Sequence, residues 1–310
     1  MAEIVALAEI VLFPGALYLV TLGLLLSWVD RKATALLQGR VGPPLYQPLA
    51  DLVKLLGKED ILTRGADANL AAALPVLALA CTLTAGLLVP VGNHSVIAFH
   101  GDLIVVLFLL SLPTLALFLA GLNVPSVYNI LGGNRALLQY LSFELPLMLG
   151  IAAPAVYARN WSIDALMKLQ VGYHWFMLAL PLGFLVATLG LIGKLERLPL
   201  DSPHAKAEIG AGPLTEYSGR KLALWRLVTW VQTVVGVNLM VAVYLGGADS
   251  AWAYWGFGAY ALKVLMYTAG LALVQVLYAR LRVDQVADLS WRTLVPLGLA
   301  QLVLAVWIGG

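Results

Sequence analysis

The sequence predicts an all-α integral membrane protein: a bundle of about eight transmembrane helices with two long cytoplasmic loops and an interfacial amphipathic helix. Composition is the first observation behind this fold class. Hydrophobic residues make up 61% of the 310 residues, charged residues only 12%, and the mean hydropathy is +0.88. A soluble domain contains about 25% charged residues, so this chain lacks the polar surface of a soluble protein. The net charge of +2 is too small to favour a nucleic-acid partner.

The length of the apolar segments is the second observation. A helix crosses the hydrocarbon core with about 20 mostly apolar residues. Eight segments satisfy this rule, namely 4–29, 69–91, 101–122, 135–157, 174–195, 222–246, 252–279 and 293–309. No internal repeat or soluble-domain linker separates them, so residues 1–310 are predicted to form a single polytopic membrane domain.

The third observation is the distribution of basic residues. Sixteen of the nineteen Lys and Arg residues fall on one side of the predicted bundle, mostly in segments 30–68 and 194–226. The opposite loops contain only Arg159 and Lys168. The positive-inside rule places the basic side in the cytoplasm, so both termini are expected outside.

One of the basic loops contains an amphipathic pattern. Leu49, Leu52, Val53 and Leu56 follow an i, i+3, i+4, i+7 spacing, which predicts a short helix lying along the interface. We favour a docking surface for a soluble partner. The alternative is a re-entrant packing segment without chemistry.

Two ionisable residues lie deep inside predicted spans. A charge at mid-bilayer costs at least about 2.5–3.5 kcal/mol, which makes each a functional candidate. Glu144 follows Arg135 by nine residues, about 13 Å at helical rise, and Lys263 lies inside the seventh span. Burial disfavours the charged form of either side chain, which suits proton exchange. The alternatives are a neutral, hydrogen-bonded Glu144 and a Lys263 that snorkels or forms a fixed ion pair with a carboxylate such as Glu144.

Other charged residues stand at the ends of spans, where charge is better tolerated. Asp30 and Lys194 occupy predicted cytoplasmic ends, and Glu9 lies near the outer end of the first span. Asp102 opens the third span, as either a proton exit or a helix N-cap. Acidic residues at several depths predict a path for protons or cations.

Nothing in the sequence predicts a catalytic or metal site. The single cysteine, Cys81, excludes a disulfide framework, and an iron–sulfur cluster needs about four protein ligands. The four histidines show no metal-ligand spacing, and no Gly-rich nucleotide loop is present. We therefore expect no redox centre in this chain.

Several longer strings carry more specific information. Residues 29–43 read VDRKATALLQGRVGP, and Gln47-Pro48 and Asp51 precede Lys58-Glu59-Asp60. Further along, Arg135 and Gln139 precede Ser142-Phe143-Glu144. The string Leu198-Pro199-Leu200-Asp201 precedes Glu208 and then Thr215-Glu216-Tyr217-Ser218-Gly219. The last string is Arg280-Leu281-Arg282-Val283-Asp284-Gln285, followed by Trp291-Arg292. Taken together and in this order, they resemble the NADH dehydrogenase subunit 1 (H subunit) family.

The resemblance implies a membrane subunit of complex I or of its hydrogenase-type relatives. Such a subunit joins a soluble electron-transfer arm to antiporter-like subunits that pump protons or sodium. The implied partners are soluble iron–sulfur and hydrogenase-like subunits on the cytoplasmic face, antiporter-like membrane subunits, and the lipid of a prokaryotic cytoplasmic membrane. Iron–sulfur clusters and a [NiFe] centre are expected in those partners, with no cofactor bound by this chain.

Departures from the quinone-reducing branch favour the hydrogenase-type branch. Lys194 and Thr229 stand where the quinone-reducing branch usually has acids, and residues 202–207 read SPHAKA instead of an acid-rich string. The first hypothesis is therefore a membrane anchor and energy-coupling subunit of a membrane-bound hydrogenase or a sulfur-reducing relative. The alternatives are the H subunit of an NADH–quinone oxidoreductase, which contributes to a quinone site, a stand-alone ion transporter, and a passive scaffold.

These arguments predict two sets of functional residues. The ion-translocation and coupling set is Asp30, Arg135, Glu144, Lys194, Asp201, Glu208, Glu216 and Lys263. The subunit-docking set is Arg40, Gln47, Asp51, Tyr217, Arg282 and Asp284.

Overall fold

The computed structural model of the chain describes residues 8–92, 94–170, 175–248 and 253–309. Within these residues, seven helices are long and apolar enough to cross a membrane. The spans are Ala8–Leu37, Ala68–Leu88, Asp102–Asn123, Val127–Tyr157, Gly219–Tyr244, Gly256–Leu277 and Val283–Ile308. The predicted fold class, an all-helical integral membrane bundle, is confirmed.

The helices follow one another with short connections. In chain order they are α1 (Ala16–Leu37), α2 (Gln47–Leu56), α3 (Ala68–Leu88), α4 (Asp102–Asn123), α5 (Val127–Tyr157), α6 (Ile163–Gln170), α7 (Phe176–Ala179), α8 (Pro181–Lys194), α9 (Lys206–Ile209), α10 (Gly219–Tyr244), α11 (Ala253–Leu277), α12 (Val283–Asp288) and α13 (Val295–Gly309). Short 3-10 turns at Ser202–His204 and Gly212–Leu214 flank α9, and a π-helical turn at Leu289–Leu294 joins α12 to α13.

The fifth of the eight predicted spans, 174–195, is shorter than expected within the described residues. It consists of α7 and α8, which meet at Leu180, and α8 contains only 14 residues. Pro181 is the first residue of α8, a position where the missing N–H of proline costs no helical hydrogen bond. Because α8 is short, its last residue, Lys194, lies within the bundle.

Two other helices are longer than predicted. α1 continues to Leu37, so Asp30 and Arg31 lie on a helix and not in a loop. α5 begins at Val127, so Arg135 lies inside the helix and not at its start. Hydropathy detects only the apolar part of a helix, whereas residues such as Ala, Leu, Lys and Arg continue it beyond that part.

The core of the bundle surrounds α10. In its most apolar stretch 89% of the residues are buried, against 22% for the span Val283–Ile308. We call the end of the bundle that carries Leu37, Lys194 and Gly219 the basic end, because it holds the segments predicted to be cytoplasmic. Tyr244 marks the opposite end.

The amphipathic helix predicted at the basic end is present as α2. Leu52 is buried and packs in one cluster with Ala223 and Trp230 of α10. Leu49 and Val53 remain exposed. One edge of α2 therefore packs on the bundle, and much of its apolar surface stays open.

The second predicted loop folds largely into the protein. Within segment 195–218, Leu200, Ala205, Ile209 and Tyr217 are buried. The Tyr217 hydroxyl donates a hydrogen bond to the Ala120 carbonyl of α4, at 3.1 Å. Tyr217, one of the residues predicted for docking and loop motifs, therefore has its side chain packed inside this chain.

Candidate ion-coupling site at the basic end

A buried ion pair joins α5 to the end of α8. The ammonium group of Lys194 contacts Oε2 of Glu144, and the two side chains are 2% and 12% exposed. Lys194 also donates to Ser111 Oγ of α4 at 2.9 Å, and Ser111 donates to Glu144 Oε1 at 2.5 Å. The Tyr140 ring lies 5.1 Å from the Lys194 ammonium. A buried charge pair is tolerated when hydrogen bonds satisfy its remaining groups, and Ser111 does this here.

The partner of Glu144 differs from the expected one. The sequence suggested Lys263 as an ion-pair partner and placed Lys194 where charge is easily tolerated. Instead, Lys263 donates to the carbonyls of Leu245 and Gly247 at 2.8 and 2.9 Å, at the opposite end of the bundle. The suggested Glu144–Lys263 pair is wrong because the short α8 brings Lys194 to Glu144.

A cavity of about 580 Å³ opens beside this pair. Its walls come from α1, α4, α10, α11, the end of α8 and segment 195–217, and they include Lys194. Other charged groups in the walls form ion pairs of their own. Asp30 accepts from Arg197 at 2.9 Å, Glu196 lies 2.7 Å from His204, and Asp201 contacts Arg280. The cavity thus connects three surrounding ion pairs to the buried one.

The carboxyl groups near the cavity have different electrostatic environments. Burial raises the pKa of Asp201 above its ordinary value, although the charge of Arg280 acts against this. By contrast, the hydrogen bond from Arg135, at 2.5 Å, lowers the pKa of Glu208. Protonation of Asp201 is therefore easier than that of a free aspartic acid, whereas Glu208 is held in its ionised form.

The remaining predicted coupling residues lie nearer the surface. Glu208 and Arg135 border a second cavity of about 180 Å³, which Arg282 and Asp284 also line. Glu216 is exposed, and its Oε2 accepts a hydrogen bond from Thr63 Oγ1 at 3.4 Å.

Three predicted docking residues lie on or near α2. Arg31 donates to Asp51 at 2.8 Å, and Gln47 donates to the same carboxylate at 2.9 Å. The hydrogen bond from Arg31 keeps the pKa of Asp51 below its ordinary value. Arg40 is exposed and contacts Gln38. These contacts fix α2 relative to α1.

Two acidic residues noted near the predicted outer side have local partners. Asp102 is the first residue of α4, and its Oδ1 accepts a hydrogen bond from the Ile163 N–H at the start of α6, at 2.8 Å. Glu9 lies 3.5 Å from His94. The cap that Asp102 provides is therefore for α6 and not for its own helix.

The sequence argument missed several members of this site. Ser111, Arg197 and Arg280 were not assigned to the site, although each contacts a predicted acid or the buried pair. His204 and its partner Glu196 were both missed. The hydroxyl of Ser111 in the otherwise apolar string LFLLSLP was an available signal. The other partnerships left no local signal, since Arg197 and Asp30, for example, are 167 residues apart.

Among the described residues, no group of three or more His, Cys, Asp or Glu side chains could hold a metal ion. The fold and the site together define a polytopic helical membrane protein whose charged groups continue from a cavity into the bundle. The chain belongs to the NADH dehydrogenase family, whose model matches residues 9–306.

A solved structure gives a second comparison. The chain is similar to one chain of the membrane-bound sulfane sulfur reductase (MBS), an archaeal respiratory membrane complex. The two are 26% identical, the match covers 97% of this chain and 98% of that one, and the TM-score is 0.87. The family resemblance noted in the sequence is confirmed.

Proposed function

We propose that this chain is a membrane anchor and energy-coupling subunit of a complex I-like respiratory complex. Its place as a membrane subunit of such a complex follows from its family and from the similarity to the sulfane sulfur reductase complex. The coupling role rests on one observation, the buried Lys194–Glu144 pair in contact with Ser111 beside a charged cavity.

The physical basis of coupling is the mutual dependence of buried charges. A buried pair titrates as a unit, so displacing one partner changes the proton affinity of the other. A unit charge appearing ~8 Å from one member of such a pair changes the energy of that member by about 2 kcal/mol at an effective dielectric constant near 20. Asp30 and Asp201 lie in the cavity wall, and each is paired with an arginine. They are therefore suited to transmit such a change. We assign Arg135, Glu208 and Glu216 to the entrance of the path.

The finer assignments extend the same proposal. We propose one membrane domain in a prokaryotic cytoplasmic membrane, with both termini outside and the basic end in the cytoplasm. Soluble iron–sulfur and hydrogenase-like subunits would bind there and hold the iron–sulfur clusters and a [NiFe]-type centre. Antiporter-like membrane subunits would receive the transmitted change. The similarity to a sulfane sulfur reductase supports a sulfur-reducing relative.

A quinone site is the second candidate function, and the size of the cavity favours it. A volume of about 580 Å³ lies within the usual range of roughly 300–1,000 Å³ for small-molecule pockets. Such pockets are mainly apolar, whereas Asp30, Lys194, Glu196 and Arg197 all line this cavity. The charged lining suits a hydrated ion path better than a quinone chamber.

The substitution Glu144→Gln tests the coupling role. Glutamine keeps the shape and hydrogen bonding of the side chain but neither titrates nor balances Lys194. In vesicles containing the whole complex, ion uptake per electron should be lost while electron transfer to a soluble acceptor continues, and Glu144→Asp should retain part of the uptake. Asp164→Asn is the matched control, because Asp164 pairs with Lys168 four residues away and outside the cavity.

Two further measurements make the result decisive. Uptake at the parental stoichiometry in Glu144→Gln would refute the proposal. Should the unpaired Lys194 prevent assembly, Glu144→Gln combined with Lys194→Met removes both charges, and an assembled but uncoupled complex is then expected. A requirement for added quinone in the unaltered complex would favour the second candidate.

A further inference from the structure

A histidine–glutamate pair lies in the wall of the large cavity. Nε2 of His204 is 2.7 Å from Oε2 of Glu196, and a third of the His204 side chain remains exposed (33%). The Glu196 side chain is only 11% exposed. One member of the pair therefore reaches solvent, and the other is largely enclosed.

The backbone holds Glu196 in an uncommon conformation. Its φ angle is +50°, in the left-handed region, which non-glycine residues rarely adopt. The turn reverses the chain directly after α8, and the Glu196 N–H donates to the Gly193 carbonyl at 3.2 Å. The turn thus places Glu196 in the same cavity wall as Lys194, two residues earlier.

A second set of contacts fixes the segment that carries His204. The Gln139 side chain donates to the carbonyls of Gly193 and Leu200 at 2.6 and 2.7 Å. Its Oε1 accepts a hydrogen bond from the Ser202 hydroxyl at 2.5 Å. Gln139 of α5 therefore joins the end of α8 to the turn Ser202–His204, and the pair is held between two anchored points.

Other charged groups line the same cavity as the pair. They are Lys194 at the end of α8, Arg197, Asp201 and Lys206 of the following segment, Asp30 and Arg31 of α1, and Arg226 of α10. Three of the cations contact other carboxylates: Lys194 contacts Glu144, Arg197 contacts Asp30, and Arg31 contacts Asp51. His204, at 2.7 Å, is the ion-pair partner of Glu196.

These surroundings favour the protonated ring. Burial alone lowers the pKa of His204, but the hydrogen bond and charge of Glu196, with the charge of Asp201, raise it above its ordinary value overall. The ring therefore remains an imidazolium to a higher pH than a free histidine does.

We propose that His204 and Glu196 form the proton-loading pair of the coupling path, so that the ion delivered to the cavity is a proton and not sodium. The proposal rests on the coupling function argued above. In one transfer the imidazolium gives its Nε2 proton to Oε2 of Glu196, which leaves a neutral imidazole and a neutral carboxylic acid. The acid releases that proton into the cavity, and the imidazole takes another from the exposed side.

The test is the pH dependence of coupled proton uptake by vesicles that contain the whole complex. In His204→Gln, uptake should fall by roughly tenfold or more, and the inflection due to the histidine should disappear. In Glu196→Gln the inflection should move to lower pH by roughly one unit, because removing a neighbouring negative charge lowers the histidine pKa. Added imidazole should partly restore uptake in His204→Ala.

A matched histidine–glutamate pair serves as the control. His94 lies 3.5 Å from Glu9, so His94→Gln removes the same chemistry from a pair outside the cavity. Its uptake and pH profile should remain unchanged. Parental uptake with an unchanged inflection in His204→Gln would overturn the proposal, and so would uptake that requires sodium.

A direct readout covers the case in which His204 variants do not assemble. Diethyl pyrocarbonate modifies neutral imidazole, so the pH dependence of His204 modification, mapped by mass spectrometry in the unaltered complex, reports its protonation. Protection up to a pH above that of an ordinary histidine is expected, and half-modification at or below the ordinary pH would overturn the proposal. Normal proton uptake in Glu144→Gln would refute the coupling function itself. If uptake is lost in Glu144→Gln but is normal in His204→Gln, only the proton-loading pair is refuted.

Discussion

Two lysines in the apolar bundle are stabilised in different ways. Lys194 is buried against a carboxylate, Glu144. Lys263 instead donates to the carbonyls of Leu245 and Gly247, at the end of α10, and lies 5.0 Å from the Trp175 ring. Carbonyl groups at a helix end lack partners within the helix and attract a cation. The contacts of Lys263 therefore favour a structural role, whereas those of Lys194 favour a role in coupling.

The substitution Lys263→Met tests this difference. Methionine keeps an apolar stem but removes the donors to Leu245 and Gly247, and a buried acceptor without a partner costs about 1–3 kcal/mol. The detergent-solubilised complex should unfold at a lower temperature, while ion uptake per electron stays at the parental value. Lys168→Met is the control, since Lys168 is an exposed residue paired with Asp164 four positions away. Loss of uptake in Lys263→Met at unchanged stability would instead assign Lys263 to the ion path.

The sequence identified Glu144 because a carboxyl group inside an apolar span is chemically conspicuous. It did not identify Lys194 as the partner, since the two residues are 50 positions apart and nothing local records that α8 ends inside the bundle.

The same reasoning predicted the apolar spans well and their ends poorly. Hydropathy reports contact with the bilayer, whereas a helix ends where its backbone hydrogen bonding ends. α1 therefore extends past Asp30 and Arg31.

The contact between α5 and α8 determines where the buried pair can form. Gly190 of α8 lies so close to α5 that an added Cβ would be 2.9 Å from the Leu147 backbone. At Gly150 of α5, an added Cβ would be 2.6 Å from the Ala187 nitrogen. These glycines allow the two backbones to approach, and the approach brings Lys194 to Glu144.

Replacing Gly190 with alanine should therefore separate the two helices. We expect a loss of stability of about 1–3 kcal/mol from overpacking, together with reduced ion uptake, because the pair at the end of α8 shifts as well. Thermal unfolding and vesicle uptake measure the two effects. Gly270→Ala is the matched control, since an added Cβ there meets nothing within 4 Å on its helix, α11. Equal behaviour of the two variants would show that the close approach is not required.

At the scale of the whole molecule, the surface open to partners is smaller than the sequence predicted. The predicted docking residues came from both long basic segments, with Tyr217 in the second. Segment 195–218 is largely folded into the bundle, and Tyr217 is buried. The region from 38 to 61 keeps large apolar side chains exposed, among them Val41, Tyr46 and Val53. An exposed apolar patch of this kind usually marks an interaction site.

We therefore expect a soluble subunit to contact residues 38–61 at the basic end. In a background with Cys81 replaced by serine, single cysteines would be placed at Val41, Tyr46 and Val53, which are 96%, 67% and 61% exposed. Cross-linking of the intact complex should join these positions to a soluble subunit. A cysteine at Val303 is the control, because this equally exposed position (70%) lies on the span Val283–Ile308 and should face lipid or another membrane subunit. Cross-links to soluble subunits from Val303, or none from the three test positions, would contradict the expected docking surface.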